Sequence, residues 1–323
     1  MNGLKKNDNQ LTLDGTRDYL AEENAAIDRR ITKLVSIRQL RDDETLGDEF
    51  FKLAQILILC ALPYSPTDET KITRRCRLSD GTKLSVTFSA MREGVSMPFG
   101  ADRQLLAWMF DSALREGSPI VKWKSALQYQ KDTGKTKAGK NNRDLKERFA
   151  RLSGLGIVIE RNGGETGASL LVIEKWNLPS SIDKHAETRE RVALTEGGKG
   201  YGFQLGSHLW EEIRKHHVVL PRQLWINSSK SWRIQDASLW LYYRCYSAQS
   251  TSRVGWALLA EQFPPDKSNT WRLESLFERA VKELRVIWPE APVAVTKEGL
   301  VFTKATVPLL PDNPSVNRVR KLK

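Results

Sequence analysis

One order of structural elements occurs twice in this chain, and no other feature constrains its fold as much. In the first copy, residues 102–116 have helical spacing, with Leu105, Leu106, Trp108, Met109 and Leu114 available to a core. A β-like step follows, Ile120-Val121-Lys122-Trp123, then a second helix over 125–131 and a third over 142–152. Leu145, Phe149 and Leu152 share one face of that third helix, and Gly154 and Gly156 end it. Two apolar runs, Ile157-Val158-Ile159 and Leu170-Leu171-Val172-Ile173, then flank Asn162-Gly163-Gly164 as a hairpin. The second copy repeats the order. A helix over 235–248 carries Leu239, Trp240, Leu241 and Tyr243, and the step Val254-Gly255-Trp256 follows. A helix over 258–263 is stopped by Pro264-Pro265, and a third helix over 270–284 turns Leu273, Phe277 and Leu284 inward. The closing hairpin is Val293-Ala294-Val295 and Leu300-Val301-Phe302 around Lys297-Glu298-Gly299. A repeat of this kind bears on the whole architecture, so it is read before any single element.

Helix, short strand, helix, helix, hairpin is the order of a winged helix-turn-helix domain. Its third helix can enter a DNA major groove while the hairpin lies beside it. The expected fold class is therefore α+β, with two winged helix-turn-helix domains in tandem preceded by an N-terminal helical arm. The arm spans 1–62 and contains helices over 18–40 and 49–62. The first domain, 63–178, opens with a β-hairpin: the runs 72–78 and 83–88 alternate at period two around Ser79-Asp80-Gly81-Thr82. A charged, glycine-containing linker covers 179–202, the second domain 203–311, and a basic tail 312–323.

Charge narrows the partner. Across 323 residues, 51 Lys and Arg face 39 Asp and Glu, a net charge of +12, which suits nucleic acid or an anionic membrane. No run approaches the roughly 20 apolar residues that span a bilayer; the longest covers 56–62. The positive excess also lies on no membrane-type amphipathic helix, so nucleic acid is preferred. Cys60, Cys76 and Cys245 are scattered, as in a reducing compartment, and His185, His208, His216 and His217 join them at no zinc-ligand spacing. The expectation is a cytoplasmic protein without metal or cofactor.

Two segments carry the candidate DNA contacts. Between 131 and 151 stand eight Lys and Arg against three acids, covering the loop into the first copy's third helix and the helix itself. Lys135, Lys137, Lys140, Arg143, Lys146, Arg148 and Arg151 are the expected phosphate and groove contacts, placed toward solvent by the inward Leu145, Phe149 and Leu152. In the second copy, Lys267, Asn269, Arg272, Ser275 and Arg279 precede and line the third helix. Arg and Asn can pair bidentately with guanine and adenine, whereas Lys and Ser mostly hold phosphate. Lys71, Arg74, Arg75, Arg77 and Lys83 on the leading hairpin form a third basic group, which equally suits protection of a sheet edge. The tail 318–323 is a further basic segment.

Several enzyme-like signals fail on their chemistry. Residues 134–141 approach a phosphate loop, but Asn141 replaces the hydroxyl that Mg²⁺ requires, so a phosphate-loop NTPase or nuclease is disfavoured. His216 and His217 are adjacent and diverge by about 100° on a helix. Tyr242 and Tyr243 sit beside Trp240 in an apolar helix, which suits a core rather than a nucleophile. No enzymatic activity is expected.

Three blocks carry a family resemblance. Leu62-Pro63-Tyr64-Ser65-Pro66-Thr67-Asp68, the basic hairpin, and Met97-Pro98-Phe99-Gly100 followed by Arg103-Gln104-Leu105-Leu106-Ala107-Trp108 resemble plasmid-encoded RepA-type replication initiators over about residues 62–160. Phe99 stands where that family usually has tyrosine. The resemblance implies binding to repeated sites in double-stranded origin DNA, opening of an adjacent A·T-rich segment, and recruitment of the host helicase and other replication proteins. It leaves a homodimer open as an alternative state. A winged-helix transcriptional regulator would use the same DNA chemistry.

Overall fold

A computed structural model describes residues 50–78, 81–122, 129–130, 132–133, 139–177, 202–226, 231–248, 250–263 and 271–304. The expected helix over 18–40, the linker 179–201, most of the expected helix over 125–131 and the tail lie outside the described residues.

The fold is α+β, with small antiparallel sheets set among helices. In chain order the elements begin with β1 (Phe50–Ala54), α1 (Gln55–Leu59), β2 (Lys71–Arg77), β3 (Lys83–Ala90), α2 (Asp102–Glu116), β4 (Ile120–Lys122) and α3 (Gly139–Leu152). They continue with β5 (Leu155–Arg161), β6 (Thr166–Leu171), β7 (Ile173–Asn177), β8 (Gly202–Leu205), α4 (Ser207–Lys215), β9 (His217–Pro221) and α5 (Arg222–Ile226). The remainder is α6 (Trp232–Ser247), β10 (Ser252–Gly255), α7 (Trp256–Gln262), α8 (Trp271–Ile287), β11 (Val293–Thr296) and β12 (Gly299–Phe302).

The second copy of the repeat follows its expected order. Its sheet runs β10-β12-β11, so the second hairpin strand lies between the first and the step strand. Trp240 on α6 is the hub beneath it. Its ring meets Phe263, Phe277 and Phe302 edge-on at 6.0, 5.6 and 5.8 Å, which ties the end of α7, α8 and β12 to one centre. Tyr242 is fully buried and burial raises its hydroxyl pKa well above the usual value, which suits core packing.

The first copy is built differently. The β5-β6 hairpin extends the leading hairpin into a four-stranded sheet, β2-β3-β5-β6. At the tight turn of the leading hairpin, Gly81 takes φ 90°, a conformation only glycine adopts without strain. The step strand β4 does not reach the β5-β6 hairpin. It pairs with β8, which in turn pairs with β7.

The expected helix over 49–62 is corrected: only residues 55–59 are helical, and 50–54 form a strand. That strand pairs with β9 from Phe50↔Pro221 to Ala54↔His217 and is buried on both faces. Apart from the half-buried Lys52, its residues are buried on both faces, and a short segment of that kind shows no alternation by which periodicity could tell it from a buried helix. At the expected start of the second domain, β8 joins β4 and β7, while β9 joins β1. One contiguous apolar core runs through both halves.

A buried polar clasp joins the halves. The Arg103 guanidinium on α2 donates to Asp236 Oδ2 on α6 at 2.7 Å, and to the carbonyls of Leu62 and Pro63 at 2.7 and 3.0 Å. The guanidiniums of Arg103 and Arg233 both lie over the Tyr64 ring, at 4.6 and 4.8 Å from its centroid. Gly100, at φ 51°, donates its N–H to the Pro63 carbonyl. A Cβ there would sit 3.4 Å from the Tyr64 carbonyl oxygen. Two of the three blocks that carry the family resemblance, 62–68 and 97–108, thus meet each other in this clasp.

Burial pushes the Asp236 carboxyl up to about 6, against the opposing pull of Arg103. An unfolded carboxyl titrates near 4. Between about pH 4 and 6 the folded chain therefore holds a proton that the unfolded chain has released. This contribution to stability is complete below about pH 4 and is lost as pH rises through 6. Urea midpoints measured across that window should fall with rising pH more steeply in the wild type than in Asp236→Asn; parallel profiles would contradict the assignment.

Candidate nucleic-acid interface

α8 is amphipathic by residue choice. Leu273, Phe277, Ala280, Val281, Leu284 and Ile287 are buried. Arg272, Ser275, Arg279 and Lys282 recur at intervals of three and four and are all exposed, with Glu278 beside them. The structure therefore brings Arg272, Ser275 and Arg279 onto one accessible stripe; Lys267 and Asn269 lie outside the described residues. The adjacent hairpin is pinned at its turn, where Trp256 Nε1 at the start of α7 donates to the Lys297 carbonyl at 3.0 Å. A hairpin held at its turn thus packs beside the helix that presents this exposed stripe.

The equivalent helix of the first copy, α3, presents less. Lys135 and Lys137 lie outside the described residues, as does most of the phosphate-loop-like segment, while Lys140 and Arg143 fall on α3 with side chains outside the description. Lys146 is exposed. The expected outward placement of Arg148 and Arg151 is corrected. Arg151 grips the buried Asp102 with both arms, its Nε and Nη2 donating at 2.6 and 2.9 Å. Its guanidinium also lies over the Phe99 ring at 4.8 Å. That hydrogen-bonded pairing raises the Arg151 pKa. Arg148 stands 3.9 Å from Asp102 and 3.9 Å from Asp144. Asp102 also accepts the Phe99 N–H at 2.9 Å. These two arginines fasten α3 to the start of α2.

On the leading hairpin, Arg74 turns inward and its Nε donates to the Ala61 carbonyl at 3.3 Å. Lys71, Arg75, Arg77 and Lys83 face outward and are exposed. His217 Nδ1 lies 3.0 Å from the Ile213 carbonyl, and His216 is exposed. Among the described residues no group of three or more His, Cys, Asp or Glu is placed to hold a metal ion, and no helix is long and apolar enough to cross a membrane.

Sequence reasoning missed Asp102 and Asp236, the acids at the centre of both buried networks. Arg148 carried a usable signal. It stands three residues after Leu145 and four before Leu152, on the apolar stripe itself, where a cation needs a buried acid.

No family model matches the chain, and no curated protein matches it. Among solved structures it is similar to a selenomethionine derivative of domains 2 and 3 of RctB, at 12% identity and TM-score 0.45, covering 79% of this chain and 97% of that one. A second structure of RctB domains 2–3 gives 12% identity and TM-score 0.45, covering 79% of this chain and 99% of that one.

Proposed function

We propose that this protein is a cytoplasmic, non-enzymatic replication initiator that binds repeated sites in double-stranded origin DNA through paired winged-helix units. In this reading it promotes opening of a neighbouring A·T-rich segment and recruits host replication proteins. The observation that carries the proposal is the exposed stripe Arg272, Ser275, Arg279 and Lys282 on α8, beside a hairpin whose sheet runs β10-β12-β11. That is the layout in which a helix reads base edges in the major groove and a wing follows the backbone. The net charge of +12 and the resemblance of residues 62–160 to RepA-type initiators support the same reading.

Arg279→Ala should weaken binding to the protected repeats by about 1–3 kcal/mol while changing random-duplex binding little. Equal loss on both DNAs would make Arg279 a phosphate contact only. The initiator role is tested by footprinting direct repeats and then probing the flanking A·T-rich segment for unpaired thymines. Protection without unpairing would favour a transcriptional regulator.

A further inference from the structure

The outer face of the four-stranded sheet has a composition that α8 does not explain. On β2, Lys71, Thr73, Arg75 and Arg77 alternate with Ile72, Arg74 and Cys76, so the first set faces outward. On β3 their partners across the ladder are Ser89, Thr87, Ser85 and Lys83. The Thr73 and Thr87 hydroxyls are hydrogen-bonded at 2.9 Å. The face therefore sets Lys71, Thr73, Arg75 and Arg77 beside Ser89, Thr87, Ser85 and Lys83, four cations among hydroxyls, with Glu160 opposite Ser85 on β5. Outward positions on one strand lie about 6.6 Å apart, so Lys71 to Arg77 spans about 20 Å.

Cations on an end strand often serve to keep other strands away. Here α7 already packs against β2, and it does so without covering Lys71, Arg75, Arg77 or Lys83. The same α7 packs against α8. The strand that carries the cationic row and the candidate reading helix are thus both neighbours of one short helix.

We propose that the outer face of β2 and β3 is a second DNA contact: it holds the phosphate backbone of the same duplex whose bases α8 reads, through Lys71, Arg75, Arg77 and Lys83. The hydroxyls of Thr73, Ser85 and Ser89 add uncharged donors to the same backbone. This inference rests on the duplex-binding reading above and extends the footprint from the second half of the chain to the first. It assigns the sheet affinity without base preference.

The test uses the full chain carrying Lys71→Gln, Arg75→Gln, Arg77→Gln and Lys83→Gln together, with a random-sequence 30-base-pair duplex as probe. All four side chains are exposed, so an unchanged melting temperature is the control for folding. The slope of log K against log salt should become shallower by about 2–4 units, and affinity at about 0.15 M salt should fall at least about 10-fold. An unchanged slope in the folded variant overturns the sheet contact. The paired variant Arg272→Ala/Arg279→Ala, measured alongside, separates the two readings. If it loses preference for the repeats while the sheet variant keeps its slope, α8 reads DNA and the sheet does not. If the sheet variant flattens the slope while the α8 variant keeps its preference, the sheet contact stands and base reading by α8 fails. No binding by the wild-type chain at low salt overturns both.

Discussion

Arg103→Ala should cost the protein about 3–5 kcal/mol, measured as a loss of unfolding free energy in urea at pH 7. Arg103 is 6% exposed and serves three acceptors at once: the Asp236 carboxylate and the carbonyls of Leu62 and Pro63. Removing it leaves a buried acid that must stay charged without its partner or take up a proton, and two carbonyl oxygens with one donor fewer each, and an unpaired buried group costs more than the net worth of the bond that satisfied it. It also takes away the cation stacked on Tyr64. The double variant Arg103→Met/Asp236→Leu should recover part of the loss, because removing both charges lifts the desolvation cost that either single change leaves behind. A loss below about 1 kcal/mol for Arg103→Ala would show that the halves are held by the apolar core alone. The prediction bears on function, since this clasp fixes the first half against the helix that carries Trp240 and, through it, α8.

What the sequence disclosed depended on how local each decision was. The α8 stripe, the Trp240 helix and the leading hairpin follow from spacing over a single turn or ladder, and periodicity located them. β8 did not announce itself: four residues inserted between β4 and β7 derive their conformation from partners far away along the chain. The strand at 50–54 misled for a related reason. Phe50, Phe51, Leu53 and Ala54 are buried on both faces and so do not alternate, and only β9 decides that the segment is extended. The same limit applies to the candidate site. Exposure of Arg279 follows from its own helix, whereas the inward turn of Arg151 follows from Asp102 on another element. Basic residues on a third helix look alike in sequence until the acids that claim some of them have been placed.

That distinction gives the second large effect. Asp102→Ala should destabilise the chain by about 3–4 kcal/mol, because Asp102 is 1% exposed and accepts two charge-assisted bonds from Arg151 and one from the Phe99 N–H. The arginines left behind are partly accessible, at 15% and 20% exposure, so they can reach water. This places the expected cost somewhat below that of stranding a fully buried ion. Arg151→Ala should lose a comparable amount, and the double variant little more than either single one, since both changes break the same interaction. Denaturant unfolding of the three variants gives the coupling directly. DNA binding then decides between the two roles for Arg151. A structural arginine lowers stability and leaves the salt slope of duplex binding unchanged, whereas a phosphate contact flattens that slope by about one unit with little change in stability. Its bidentate grip on Asp102 predicts the first outcome, and a stable Arg151→Ala protein with a flattened slope would return Arg151 to the DNA-binding surface.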